Sequence, residues 1–156
     1  MSSSTRALLS KTRFAAGMSP DVCKRLAALA EVADVPAGSQ VIREGEPIAA
    51  LGVVVSGRIA LRLNVPGVGP QTILTVDDGD VFGWSAVMPG SRSTSTGTAL
   101  VPTQALMFER ERLLAAMAED CELASAVYQR MLKVVARRLA ATRVQLLDLY
   151  RVGHAS

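Results

Sequence analysis

Apolar and polar positions change rhythm twice along this chain, dividing it into three parts. In residues 19–32, Val22, Leu26 and Leu29 recur at helical spacing behind Ser19-Pro20-Asp21. That opening has an N-cap serine, proline at the first helical position and an acid in the first turn. It predicts a short helix ending near Val32, after a loose arm over residues 1–18 with an amphipathic piece around 6–14. Across residues 35–108 the period shortens to two, broken by Pro36-Ala37-Gly38, Glu44-Gly45-Glu46, Ser56-Gly57, Asp77-Asp78-Gly79 and Pro89-Gly90. In residues 58–65, Ile59, Leu61, Leu63 and Val65 alternate with Arg58, Ala60, Arg62 and Asn64, which predicts one buried and one wet face. Residues 51–55 precede that strand across Ser56-Gly57, predicting a hairpin, and 71–76, 94–100 and 105–108 read as further strands. Many short antiparallel strands with regular turns predict a jelly roll or a small barrel.

From residue 109 the helical period returns. Residues 109–119 read as a short helix with Leu113, Leu114 and Met117 inward, and Asp120 as the N-cap of a helix running to about Tyr150. Leu132, Val135, Leu139, Thr142, Leu146 and Leu149 are spaced alternately three and four apart along it, a seam suited to a partner helix, and Tyr128 extends it. A second stripe, Val127, Met131 and Val134, faces another way. Two stripes predict a helix that packs on its own domain and then pairs with a second copy; the alternative is that both are intramolecular core. A helix of about 30 residues is roughly 45 Å long, more than a small roll covers. The fold class is therefore α+β, mainly β: an antiparallel jelly roll or small barrel flanked by an N-terminal helix and a long C-terminal helix. Its parts are an arm and helix at 1–34, the roll at 35–108 and C-terminal helices at 109–150, all in one domain.

Composition narrows the function. The chain has 156 residues, 49% hydrophobic and 20% charged, as in an ordinary soluble domain. No apolar run approaches membrane length and the first residues lack a secretory core, so a cytoplasmic protein is expected. Cys23 and Cys121 are far apart and read as inert thiols, and His154 is the one histidine. No nucleophile–base pair or metal-ligand spacing emerges, so no enzyme and no metal site are expected. The net charge of +3 comes from dispersed basic residues, which favours solvated surface over a nucleic-acid face.

The stretch most suggestive of chemistry spans residues 79–100. A strand end at Phe82 leads through Gly83 into a short apolar turn, Trp84-Ser85-Ala86-Val87, then a small-residue loop with Arg92, Ser93 and Thr94. Glycine allows close backbone approach, the amides opening the turn suit an anion, and an arginine follows. This resembles the phosphate-binding cassette of cyclic-nucleotide-binding domains in catabolite-activator-type regulators, kinase regulatory subunits and gated channels. The resemblance extends to Val35-Pro36-Ala37-Gly38 through Glu44-Gly45-Glu46 and to Val53-Val54-Val55-Ser56-Gly57-Arg58-Ile59, covering roughly residues 14–150.

The resemblance implies an antiparallel jelly-roll/β-roll flanked by helices, serving as a non-enzymatic regulatory module that takes a cyclic nucleotide, cAMP or cGMP, or another small anionic phosphate. The candidate ligand residues are Phe82, Gly83, Trp84, Ser85, Ala86, Arg92, Ser93, Thr94 and, on the long helix, Thr142. Two positions depart from the family pattern. Trp84 replaces the glutamate that grips the ribose, and Arg92 stands one residue early, with Ser93 in its usual place. Trp84 reads either as a plug in an obsolete pocket or as a stacking platform, and Arg92 as an anion ligand or a solvated loop residue. Thr142 suits a purine contact or the seam equally. A degenerate roll kept for dimerisation or protein interaction is the alternative function. Relatives that regulate transcription carry a helix-turn-helix after the roll; only residues 151–156 follow Tyr150 here, so no specific DNA reading by this chain alone is expected.

Overall fold

The structure, a computed structural model, describes residues 2–154, with side chains from 4 to 153. His154 closes the last helix, and its side chain lies outside the described residues. The N-terminal unit comprises α1 (Ser2–Ser10) and α2 (Pro20–Ala27). Eight strands follow: β1 (Ala30–Val35), β2 (Gln40–Ile42), β3 (Ala50–Ser56), β4 (Ile59–Val65), β5 (Gly69–Val76), β6 (Val81–Phe82), β7 (Thr96–Ala99) and β8 (Thr103–Glu109). The chain ends in α3 (Arg110–Glu119) and α4 (Cys121–His154). The strands form two antiparallel four-stranded sheets, β1-β8-β3-β6 and β2-β7-β4-β5.

Local chemistry accounts for the starts of α2 and α4. The Ser19 hydroxyl accepts the Val22 N–H at 3.2 Å with Pro20 in the first turn. An Asp120 carboxylate oxygen accepts the Leu123 N–H at 3.1 Å, so at each of these starts one orphan donor finds a side-chain oxygen. Arg25 pairs with Asp120 and Glu122, tying α2 to the start of α4.

Several boundaries differ from the sequence reading. The arm's helix covers residues 2–10 rather than 6–14, and α2 stops at Ala27. Residues 30–35 are a strand, paired with β8 from Ala30↔Phe108 to Val35↔Thr103. Its side chains are half-buried or exposed, so it carries no two-period apolar signal of its own; pairing along β8 places it. The expected hairpin across Ser56-Gly57 is absent among the described residues, because β3 and β4 lie in different sheets. Both edges of β3 are taken by β8 and β6, and both edges of β4 by β5 and β7. Ser56-Gly57 is thus a crossing from sheet to sheet. In β4, Ile59, Ala60 and Leu61 are all buried, Arg62 and Leu63 are half-buried and Asn64 and Val65 are exposed, so burial falls along the strand instead of alternating as the sequence predicted.

One sheet is covered on both faces. Leu51, Val53, Val81, Leu106 and Phe108 join Leu26, Leu113, Val127, Met131 and Val134 under the helices. Val54, Phe82 and Ala105 face Ile59, Leu61, Val76 and Ala99 between the sheets. This is why Leu51 to Val54 is buried without alternation. In α3, Leu113 and Met117 are buried while Leu114 is only half-buried. Cys23 is buried and Cys121 exposed, both as free thiols, and burial pushes the Cys23 pKa up, which suits an unreactive thiol. No helix among the described residues is long and apolar enough to cross a membrane.

Candidate functional site

The site begins at a buried ring. Phe82 is fully buried and pairs across the ladder with Gly52, where a Cβ would lie 2.0 Å from the ring's Cζ. The ring therefore occupies the space above a bare backbone, and this contact holds the end of β6. Gly83 follows at φ +74°, and a Cβ there would lie 2.8 Å from the Ala50 carbonyl oxygen. Both constraints require glycine. The chain then makes one 3-10 turn, Trp84–Val87. Within it the Ala86 N–H donates to the Gly83 carbonyl at 2.9 Å and the Met88 N–H to the Ser85 carbonyl at 3.0 Å. Ser85, Ala86 and Val87 are buried, and Trp84 is half-buried against the helix-side core.

The loop after the turn is stitched to residues 45–47. Ser93 N–H donates to the Glu46 carbonyl and Gly45 N–H to the Ser93 carbonyl, each at 2.9 Å, beside a Pro47↔Arg92 bridge. Arg92 is exposed, and its guanidinium donates to the Gly45 carbonyl at 3.0 Å. The Ser93 hydroxyl, buried, donates to the Ser95 carbonyl at 2.5 Å. Gly83, Trp84, Ser85, Ser93, Thr94 and Ser95 do converge on one cavity, but Arg92 does not line it.

A residue that the sequence reading passed over completes that cavity. Arg138, on α4, lines it and donates to the Val81 carbonyl. Burial holds its pKa below the usual arginine value, with nearby Asp80 pulling the other way; the guanidinium remains charged. A signal was available. Val127, Met131 and Val134 recur at four and three, and one further step of four lands on Arg138. The inward stripe of the helix thus ends in a cation.

With Arg138 in place the cavity measures about 20 Å³, roughly room for one water; sites for small organic ligands are roughly 300–1,000 Å³. Thr142 lies elsewhere. It lines a cleft of about 190 Å³ between β5 and α4 with Ile73, Leu74 and Thr75, and its hydroxyl donates to the Arg138 carbonyl at 2.8 Å. Among the described residues Arg138 alone borders both spaces.

The seam positions stand out from the domain. Leu132 is 71% exposed, Leu139 50%, Leu146 62% and Leu149 71%, Thr142 is exposed, and Val135 is half-buried. The seam is therefore distinct from the buried stripe of Val127, Met131 and Val134.

Comparison with known proteins bears on this arrangement. The family described as the cyclic nucleotide-binding domain matches residues 32–120, more than half of the chain. The chain belongs to the cyclic nucleotide-binding domain family. It is 28% identical over 143 residues to a CRP-like cAMP-activated global transcriptional regulator of Mycobacterium tuberculosis, covering 91% of this chain and 62% of that protein. The chain thus spans less than two thirds of this curated relative. A cyclic nucleotide-binding domain from Methylobacillus flagellatus KT superposes with a TM-score of 0.80 at 21% identity, covering 94% of this chain and 83% of that one. The Thermus thermophilus catabolite activator protein gives a TM-score of 0.72 at 22% identity, covering 88% and 62%. These two likenesses establish the shared fold: a mainly β, α+β roll with a long C-terminal helix.

Proposed function

We propose that this chain is a non-enzymatic regulatory module that acts as a homodimer through α4, with the family's nucleotide pocket closed by its own Arg138 and Trp84. The observation that carries this reading is the cavity of about 20 Å³ behind Gly83, into which Arg138 reaches from the dimer helix. A cyclic nucleotide could enter only after Arg138 gave up its bond to the Val81 carbonyl. A charge-assisted hydrogen bond of this kind contributes about 1.5–3 kcal/mol. Once inside, the ligand would find an indole, which offers only a donor, where its ribose hydroxyl needs an acceptor. Arg92, turned to the Gly45 carbonyl, supplies no counter-charge from its present position. The module then serves its partner, a protein or its own second copy, through the exposed faces of α4.

A second reading rests on the same arginine. Arg138 belongs to the helix that carries the seam, so an anionic ligand that drew its guanidinium off Val81 would shift the dimer helix and make the module a sensor. Calorimetry with cAMP and cGMP on wild type and Arg138→Ala separates the two. The proposal expects no saturable heat from the wild type and binding created by Arg138→Ala. Micromolar binding by the wild type that Arg138→Ala abolishes overturns it in favour of the sensor.

A further inference from the structure

A third concavity borders Asp80, distinct from the two already described. It measures about 460 Å³ and is walled by residues 13–16, the 79–81 turn and α4. That volume suits a small molecule. Four cations line it, Arg13, Arg130, Lys133 and Arg137, against one carboxylate, Asp80.

The cations are poorly satisfied. Asp80 approaches Arg13 at 3.8 Å and Arg137 at 3.6 Å, distances too long for hydrogen bonds. Arg130 is partly buried, and its Nε is buried with no hydrogen-bond partner. A buried donor left without an acceptor is uncommon and costly. On α4 the three basic residues sit at i, i+3 and i+7, where like charges on one stripe repel. The wall opposite them is held in place, since the Phe14 N–H donates to the Gly79 carbonyl at 3.1 Å. At 3.6 residues per turn this stripe lies on roughly the opposite side of α4 from the Leu132–Leu139–Leu146 seam. Pairing on the seam leaves the cleft open.

We propose that this cleft binds a di- or triphosphate group, free or carried by a nucleotide. Each phosphate oxygen accepts several hydrogen bonds, and arginine forks match that geometry. Such a group would use the idle donors of Arg13, Arg130 and Arg137, with Lys133 as a point charge. A monoanion could not engage cations spread over two turns of helix. The apolar part of the lining, Val81, Val134 and Ala136, leaves room for an organic portion.

Calorimetry at low salt on the full chain, with sodium pyrophosphate and with ATP as probes, tests the proposal. We expect saturable binding of at least one probe, weakened as salt is raised. It should fall at least tenfold in Lys133→Gln/Arg137→Gln, whose side chains are exposed and whose loss spares the core. Arg130→Gln should weaken it similarly. The equally charge-depleted pair Arg112→Gln/Arg151→Gln should bind as wild type does. Equal affinity for both probes assigns the ligand as the phosphate group alone; tighter ATP adds a nucleoside contact. Absence of binding by the wild type, equal losses in the two double variants, or duplex DNA outcompeting both probes would overturn it.

Discussion

Substituting Gly52 by alanine should destabilise the protein by displacing a ring that begins the cassette. A methyl group at Gly52 would lie 2.0 Å from Cζ and 2.3 and 2.5 Å from the two Cε atoms of Phe82, which is fully buried. The ring must move or the strands must part, and overpacking of this kind costs about 1–3 kcal/mol. Phe82→Leu removes the atoms that collide, at a cost of about 1–2 kcal/mol in lost burial. The new methyl group then has nothing to meet. The double variant Gly52→Ala/Phe82→Leu should be no less stable than Phe82→Leu alone, a coupling of about 1–3 kcal/mol. Guanidinium unfolding followed by circular dichroism measures it, at one protein concentration because dimer stability varies with concentration. Additivity within about 0.5 kcal/mol would refute the claim that this contact sets the end of β6.

Two further outcomes follow from α4. Leu139→Lys/Leu146→Lys changes side chains that are half or more exposed in the single chain, so sedimentation should show a monomer with an unchanged circular dichroism spectrum; a persisting dimer would move the interface off the seam. Asp120, whose pKa is held below its usual 3.8 chiefly by the Leu123 N–H and also by Arg25, stabilises the fold when ionised. That stabilisation is complete above the unfolded-state value and disappears as pH falls through the folded one. The melting-temperature gap between wild type and Asp120→Ala should therefore be full near neutral pH and close under acid; a gap independent of pH would contradict the cap.

What was legible in the sequence was what neighbouring residues decide among themselves. Ser19-Pro20 and Asp120 announce helix starts because capping is a bond between residues three apart. Gly83 announces a turn because its own φ of +74° already calls for glycine, before the close approach of the distant Ala50 carbonyl is considered. The two stripes of α4 follow from helical period alone, whereas packing on the roll decided that one is buried and the other exposed. Family membership was equally legible, since turn residues recur at spacings that the roll's connections require.

Tertiary structure decided which surfaces meet. No local pattern marks residues 30–35 as a strand, because β1 owes its existence to the free edge of β8. Ser56-Gly57 carries the residues of a hairpin, yet becomes a crossing because the edges of β3 and β4 are claimed by distant strands. Arg92 sits near the cassette in sequence but faces Gly45, whereas Arg138, over fifty residues away from Gly83, reaches the pocket. A side chain's target depends on how α4 lies across the roll. That placement comes from summed burial over many long-range contacts, a quantity no single stretch of chain contains.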